Sequence, residues 1–353
     1  MSNYEEVLRA IRALIHDESP GVDISKLLFE HGCTYLLSKT TLDPQFTQKL
    51  QFKKLLNHAI VDTRYQTCAT VFKQLEQKQI PYAIIKGAVL SSVAYEDPYC
   101  RRSGDVDLLV ERCNIDAVKE VMFQNGFVQG WATKDGIEKF SRKELLFYSA
   151  MSHQTAPFVK KTENAICPYV DVDINLDIMW GESVQKADME FVLKHTEPFT
   201  LCGVSFRKLS AEMEFIQLCL HHYKDLNSIY LLYQRNIRLS HFCDIYFYLH
   251  NHPLEIESLK TLCKDLNVCE YVYYCLYYTN KIFDVDFLQS WLQILYTPEA
   301  DVLIDSFGLI PEERRRWKID FYERIFGKSL HEYLQANLTQ ADFDKIDINK
   351  KFL

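Results

Sequence analysis

The spacing of apolar residues predicts a chain that begins and ends in helices. In both parts, apolar residues recur every three or four positions, as they do on the buried face of an amphipathic helix. Asp43 and Pro44 are expected to open the helix over 43–79 as its N-cap and first helical residue, and Ser210 to cap the helix over 211–225. The predicted helices cover 4–16, 24–38, 43–79, 211–225, 229–250, 254–266, 269–283, 286–296 and 311–326.

Between these helical parts the pattern predicts strands. An apolar run over 82–86 indicates a buried strand, after which Gly87 turns the chain into a short helix. A helix ending near Gln124 is expected to stop at Asn125 and Gly126, a pair that favours a left-handed helix end. The other strands are predicted over 105–110, 127–130, 144–149, 156–160 and 169–180, with a helix over 188–195 and a hairpin over 201–208.

This order of elements predicts an α+β fold, in which a small mixed β-sheet lies between helical parts. The expected domains are an N-terminal helical segment over 1–80, a core over 81–208 and a C-terminal helical domain over 209–353. With only 11 Gly and 10 Pro among 353 residues, the chain has few helix-breaking positions, which agrees with a largely helical protein.

Two of the predicted strands carry acidic residues at alternate positions. Asp105 and Asp107 are two positions apart, so their side chains project from the same face of a strand. In the strand over 169–180, apolar residues alternate with Asp171, Asp173, Asn175 and Asp177. A solvated sheet edge is one interpretation of this second row, but like charges repel and Asp is a poor strand former. A hard divalent cation, Mg²⁺ or Mn²⁺, shared by the two strands would compensate them.

A phosphate site is predicted beside the first acidic pair. Gly87 opens a helix, where unpaired N–H groups and the helix dipole favour an anion. Lys86 adds a positive charge next to this turn. A phosphate turn beside a metal site is an arrangement that suits nucleotide chemistry.

These motifs, in this order, resemble those of poorly characterised bacterial nucleotidyltransferases of the DNA polymerase β-like superfamily. Their pattern is Lys-Gly after a strand, a Tyr, an Arg four residues before Asp-h-Asp (h is apolar), and a later strand with Asp/Glu-h-His. The matching residues here are Lys86, Gly87, Tyr95, Arg101, Asp105, Asp107 and Asp173. The resemblance covers about half of the chain and extends to the helices that carry His221, His222, Arg238 and Asp244.

The resemblance implies a nucleotidyltransferase core with a two-metal site. It assigns catalysis and metal binding to Asp105, Asp107 and Asp173, with Asp171 as the alternative third carboxylate. The residues expected to bind the nucleotide are Lys86, Gly87, Ser91, Arg101 and Arg238.

The sequence departs from the family pattern at two positions. Ala88 follows Gly87 where a Ser or Gly is usual, so Ser91 or Ser92, one turn further on, is the expected substitute for the missing hydroxyl. Asn175 stands where a His is usual. Two further roles stay open: His221 could face a pocket or the core, and Arg238 could meet phosphate or pair with an acidic neighbour such as Asp244.

Charge and cysteine content narrow the possible partners and location. The formal net charge of −8 argues against extended nucleic-acid binding, and the run Arg314 to Arg316 is expected to be a solvated helix face. An odd number of cysteines, 11, without metal-ligand spacing indicates free thiols in a reducing compartment. With no signal-like start and no long apolar run, a cytoplasmic protein without a membrane partner is expected.

The predicted function is transfer of a nucleoside monophosphate from an NTP, expected to be ATP, to an unidentified hydroxyl-type acceptor, with release of pyrophosphate. The acceptor could be a small molecule such as an antibiotic, a protein or an RNA. The alternative is a nucleotide-binding sensor or scaffold that keeps the fold without turnover.

Overall fold

The structure is a computed structural model that describes residues 3–42, 44–151, 153–181, 183–235, 237–328 and 330–350. Two compact units divide the chain: one is Met1–Leu42, Leu218–Leu249 and Glu255–Leu353, and the other is Asp43–Gln217 and His250–Leu254. The units group the chain differently from the predicted domains 1–80, 81–208 and 209–353, which stay a prediction. The predicted N-cap Asp43 lies outside the described residues.

Helices make up most of the described chain. They are α1 (Asn3–Ile15), α2 (Ser25–Glu30), α3 (Thr34–Ser38), α4 (Pro44–Gln77), α5 (Gly87–Tyr95), α6 (Ile115–Gln124), α7 (Arg142–Met151), α8 (Met189–Lys194), α9 (Ala211–Asn227), α10 (Ile229–Gln234), α11 (Leu239–Asn251), α12 (Ile256–Asp265), α13 (Cys269–Phe283), α14 (Asp286–Leu295), α15 (Pro298–Leu303), α16 (Phe321–Phe326), α17 (Leu330–Asn337) and α18 (Gln340–Lys350). None of the helices within the described ranges combines the length and apolarity needed to cross a membrane.

The strands form one large mixed sheet and a separate short hairpin. They are β1 (Tyr82–Ile85), β2 (Val106–Val110), β3 (Val128–Thr133), β4 (Gly136–Lys139), β5 (Phe158–Lys161), β6 (Tyr169–Asn175), β7 (Thr196–Leu201), β8 (Val204–Leu209), β9 (Ser306–Phe307) and β10 (Arg315–Arg316). The order in the sheet is β4-β3-β5-β6-β2-β1-β8-β7. The pairs β2–β6 and β1–β8 are parallel and the others are antiparallel. The α+β class is confirmed, with a larger sheet than predicted.

One face of the central strands is apolar because their side chains alternate. Val106, Leu108 and Val110 of β2 share a core with Val172 and Ile174 of β6. Helices α4 and α6 contribute the other side of this core through Val61, Tyr65, Phe72, Leu75, Val118, Val121 and Met122. The acidic residues of β2 and β6 therefore project from the opposite face of the sheet.

Several predicted elements differ in the structure. The predicted helix over 229–250 is divided into α10 and α11, and the predicted strand over 169–180 ends at Asn175. The predicted helix over 24–38 is interrupted between α2 and α3, where Gly32 has a φ of +71° that ends a helix. The prediction of a strand over 144–149 is wrong, since these residues lie in α7. The prediction of a helix over 311–326 holds only from Phe321. The run Arg314 to Arg316 is not a helix face, because Arg315 and Arg316 pair as β10 with β9.

Candidate active site

The register of the central strands brings the two acidic rows together. In the parallel pair β2–β6, Asp107 lies directly opposite Asp173 and Val106 lies opposite Val172. Asp105 and Asp171 immediately precede that valine pair, on the same face as Asp107 and Asp173. The structure thus places the four predicted metal ligands on one face of two neighbouring strands.

Asp107 is the most buried of these carboxylates and is held from two sides. It is 7% exposed, and its Oδ1 accepts hydrogen bonds from Lys86 Nζ at 3.0 Å and Asn175 Nδ2 at 3.0 Å. The Asn175 side chain is oriented by Gln154, whose Nε2 donates to Asn175 Oδ1 at 2.8 Å. Asn175, where a His was expected, therefore fixes a carboxylate of the site.

The remaining carboxylates are destabilised in their ionised form. Burial and the neighbouring Asp107 charge raise the pKa of Asp105 to about 6. Burial, followed by the charges of Asp105 and Asp107, raises the pKa of Asp173 to about 7. Burial also raises the pKa of Asp171. Such shifts arise where like charges are gathered in a poorly hydrated place, and a cation would reverse them.

The turn between β1 and α5 adopts a backbone conformation that L-residues rarely take. Lys86 has φ 59° and ψ −153°, and Gly87 follows with φ +50°. A side chain at Gly87 would also meet Ser103 Oγ at 2.9 Å. The turn is therefore restricted to Gly at its second position, and it carries the Lys86 side chain to Asp107.

Two other predicted nucleotide ligands lie in or beside the loop over 97–104. Ser91 is fully buried, donates to the Asp97 carbonyl at 2.7 Å and accepts from the Arg101 backbone N–H at 3.1 Å. This position does not support the predicted phosphate contact of Ser91, whose hydroxyl fastens the loop to α5. Arg101 is half-buried and its carbonyl accepts from Asn57 Nδ2 at 3.0 Å, so its nucleotide contact stays a prediction.

Sequence reasoning missed a buried arginine near this site. Arg64 of α4 is 8% exposed, and its guanidinium donates to the carbonyls of Ser103 and Gly104, immediately before Asp105. Its charge counteracts the effect of burial on the pKa of Asp105 and of Asp171. The signal that could have identified Arg64 in the sequence is a positively charged residue among the apolar positions that form the buried stripe of α4.

Tyr148 of α7 is a second residue that sequence reasoning missed. Its ring is 6% exposed, and burial, with the charges of Asp173 and then Glu144, raises its pKa to about 12. The contribution of the Asp173 charge to this shift makes Tyr148 a candidate neighbour of the acidic face. Tyr148 was missed because the residues over 144–149 were predicted to form a strand and not helix α7.

Arg238 and the adjacent histidines belong to the other compact unit. Arg238 is exposed at the start of α11, and its nucleotide contact stays a prediction. His222 is fully buried, and its Nε2 lies 3.2 Å from Asp244 Oδ2, which makes Asp244 the partner of a histidine. His221 Nε2 lies 3.6 Å from Asp225 Oδ2, one turn along α9.

The acidic face fits a divalent cation in its donor chemistry. Carboxylate oxygens are the ligands that Mg²⁺ and Mn²⁺ prefer, and burial together with the neighbouring carboxylates raises the pKa values of Asp105 and Asp173, an effect that a bound cation would oppose. Within the described residues, no three His, Cys, Asp or Glu side chains are already gathered as ligands of one ion. The carboxylates would therefore have to converge when a cation binds.

Comparison with known proteins identifies the family. A family model described as "Uncharacterised nucleotidyltransferase" matches residues 25–284, which is well over half of the chain. The chain belongs to this family. The matched range contains every predicted site residue of this nucleotidyltransferase family member, from Lys86 to Arg238.

Two further comparisons add little to the family assignment. No curated protein matches the chain. Among solved structures, an antigenic nucleotidyltransferase-like protein from Paracoccidioides brasiliensis is similar over 66% of this chain and 93% of its own, with 18% identity and a TM-score of 0.37. At that TM-score the likeness carries no argument about the site.

Proposed function

We propose that this family member transfers a nucleoside monophosphate from an NTP to a hydroxyl-type acceptor and releases pyrophosphate. The observation that carries the proposal is the register of β2 and β6, which sets Asp107 opposite Asp173 beside the Lys86–Gly87 turn. A membership of the DNA polymerase β-like superfamily is part of the proposal and agrees with the order of these motifs.

The proposed roles follow from the geometry. Gly87 and the open N-terminus of α5 would bind phosphate oxygens, and Lys86, held near by Asp107, would add its charge. Asp105, Asp107 and Asp173 would hold Mg²⁺ or Mn²⁺, with Asp171 next to them. When bound, the metal supplies charge stabilisation at the phosphate oxygens and at the attacking oxygen.

Asp173 is the proposed acceptor of the proton from the attacking hydroxyl. To accept this proton Asp173 must be ionised, and a bound cation would favour that form by lowering the pKa of Asp173 from its metal-free value of about 7. Its place on β6, opposite Asp107, keeps it beside the proposed metal site. The predicted nucleotide is ATP; the acceptor class, the absence of a membrane partner and a cytoplasmic location remain predictions.

The experiment measures binding and turnover separately. Each α-labelled NTP is incubated with Mg²⁺ or Mn²⁺ and panels of small molecules, proteins and RNA, using wild type, Asp105→Asn and Asp107→Asn. The control is Asp135→Asn, which changes an exposed aspartate in the turn between β3 and β4. We expect metal-dependent labelling of an acceptor that is lost in both site variants and kept in the control.

Two outcomes would redirect the proposal. Metal-dependent nucleotide binding that both site variants retain at wild-type affinity would remove the assigned residues from the site. Tight binding without pyrophosphate release, across every acceptor panel, would favour the non-catalytic sensor instead.

A further inference from the structure

Helix α4 does more than cover the sheet, because polar side chains along it hold the loop that leads into Asp105. Asn57 Nδ2 donates to the carbonyls of Tyr99 at 2.7 Å and of Arg101 at 3.0 Å. Two helical turns further along α4, Arg64 donates from Nη1 to the Ser103 carbonyl at 2.7 Å and from Nη2 to the Gly104 carbonyl. Two side chains of one helix thus bind four backbone carbonyls of the loop over 97–104.

Arg64 is the member of this set that touches the chain next to the acidic face. A guanidinium presents donors in a planar fork, so two neighbouring carbonyls fix its plane and are fixed by it. Gly104 has no side chain to restrain it, and its peptide group leads directly into Asp105. The two hydrogen bonds therefore set the direction from which the Asp105 side chain leaves the backbone.

The position of Arg64 on α4 supports a role at the site as well as in the fold. It falls in the stripe formed by Val61, Tyr65 and Cys68, all of which are buried in the core. A charge in such a stripe carries a desolvation penalty that a large apolar side chain would avoid. Its charge instead acts on the carboxylates of Asp105 and Asp171, where it counteracts the rise in pKa that burial causes.

We propose that Arg64 is a positioning residue that orients Asp105 for divalent-cation binding through the Ser103 and Gly104 carbonyls. This inference rests on the proposed function, because it takes Asp105 to be a metal ligand. Arg64 itself touches neither metal nor substrate. It acts on the ligand by fixing the backbone behind it.

The test compares Arg64→Met and Arg64→Lys with wild type. Met keeps the length and loses the fork and the charge, whereas Lys keeps the charge but cannot bind two carbonyls in one plane. The matched control is Arg207→Met on β8, because Arg207 also binds a backbone carbonyl and a hydroxyl, donating to Thr196 O at 2.8 Å and Thr196 Oγ1 at 2.9 Å. Melting curves establish that each variant is folded.

Mn²⁺ binding is measured by the loss of the free-ion electron paramagnetic resonance signal, without nucleotide and without turnover. We expect both Arg64 variants to bind Mn²⁺ about 10 to 100-fold more weakly, the range typical of residues that orient metal ligands, and Arg207→Met to bind within about threefold of wild type. In turnover, the metal concentration for half-maximal rate rises and kcat falls, while KM for the nucleotide at saturating metal changes by less than about threefold.

Several outcomes would overturn the positioning role. If a folded Arg64→Lys protein binds Mn²⁺ with wild-type affinity, the two hydrogen bonds of the guanidinium are not needed to orient Asp105. If Arg64→Met does not fold, the positioning role is judged from Arg64→Lys alone. If Arg207→Met weakens Mn²⁺ binding as much as the Arg64 variants do, the effect would be a general consequence of losing an arginine. If wild type releases no pyrophosphate but both Arg64 variants still lose Mn²⁺ affinity, the proposed function fails and the role of Arg64 stands.

Discussion

Replacing Asp173 by Asn should stabilise the metal-free protein at neutral and alkaline pH. In the folded protein, burial and the charges of Asp105 and Asp107 raise the pKa of Asp173 from 3.8 to about 7. Well below the unfolded-state pKa of 3.8, the carboxyl is protonated in both folded and unfolded chains, so it contributes no difference. Between pH 4 and 7 only the unfolded chain releases the proton, and the folded state loses stability as the pH rises. An Asn side chain does not ionise, so the Asp173→Asn protein does not lose this stability as the pH rises.

The size of the effect follows from the pKa shift. A shift of roughly three units, at about 1.4 kcal/mol for each, corresponds to about 4 kcal/mol above pH 7. Asp173 keeps some contact with water, and relaxation of its neighbours reduces the repulsion. We therefore expect Asp173→Asn to raise the free energy of unfolding by about 2 to 4 kcal/mol at pH 8 and by no more than about 0.5 kcal/mol at pH 4.

The assay is urea denaturation in EDTA from pH 4 to pH 8, followed through the transition that unfolds the sheet. Asp135→Asn serves as the control, since its exposed side chain should give the same difference from wild type at every pH. Adding Mg²⁺ at pH 8 should close the gap by stabilising wild type more than the variant. A variant that is less stable than wild type at pH 8 in EDTA, or a gap that does not change with pH, would refute the electrostatic reasoning.

Two further predictions concern residues that support the same sheet. Lys208→Met should lower the free energy of unfolding by about 3 to 5 kcal/mol in urea denaturation, because it leaves Glu214, 3.0 Å away and 2% exposed, as a buried charge without its cation. Adding Glu214→Leu should recover most of that loss, and no recovery would contradict the argument. Gly87→Ala should destabilise by about 1 to 3 kcal/mol in the same assay, because of its positive φ and the 2.9 Å approach to Ser103 Oγ. Gly21→Ala, with a φ of +71° and open space around it, should lose less, and an equal loss would exclude the contact as a cause.

The acidic face was predictable because its pattern is local. Alternation along the chain shows that Asp105 and Asp107 share a face, and the same holds for Asp171 and Asp173. The pairing of Asp107 with Asp173 was not predictable in detail. It depends on a parallel register between strands that are separated along the chain by α6, the β3–β4 hairpin, α7 and β5.

The error over α7 had an avoidable cause. Leu145, Leu146, Phe147 and Tyr148 form an apolar, aromatic run of the kind that favours a strand. The run is preceded by Ser141 and Glu144, a capping box: Ser141 N–H donates to Glu144 Oε2 at 2.7 Å, and Glu144 N–H donates to Ser141 Oγ at 3.4 Å. The sequence therefore contains a signal for a helix start, the capping box, immediately before the residues that favoured a strand.

Arg64 shows the limit of sequence reasoning at the site. Its place in the apolar stripe of α4 indicates that something must satisfy a buried guanidinium, but not what does so. The carbonyls that bind it lie 39 and 40 residues away, in a loop with no regular periodicity. Backbone acceptors have no sequence signature, so only the fold could identify them.

The register of β2 and β6 also determines which changes in chain length this protein could survive. A single residue inserted in β6 before Asp173 would move the acidic residues to the core side and the valines to the site, so the loss of chemistry and the loss of packing would occur together. Extra residues in the turn between β3 and β4, two strands away at the far edge, would leave that register unchanged. We therefore expect insertions to be tolerated in the β3–β4 hairpin. Insertions within β2 or β6, the strands that carry the carboxylates, are expected to disrupt the protein.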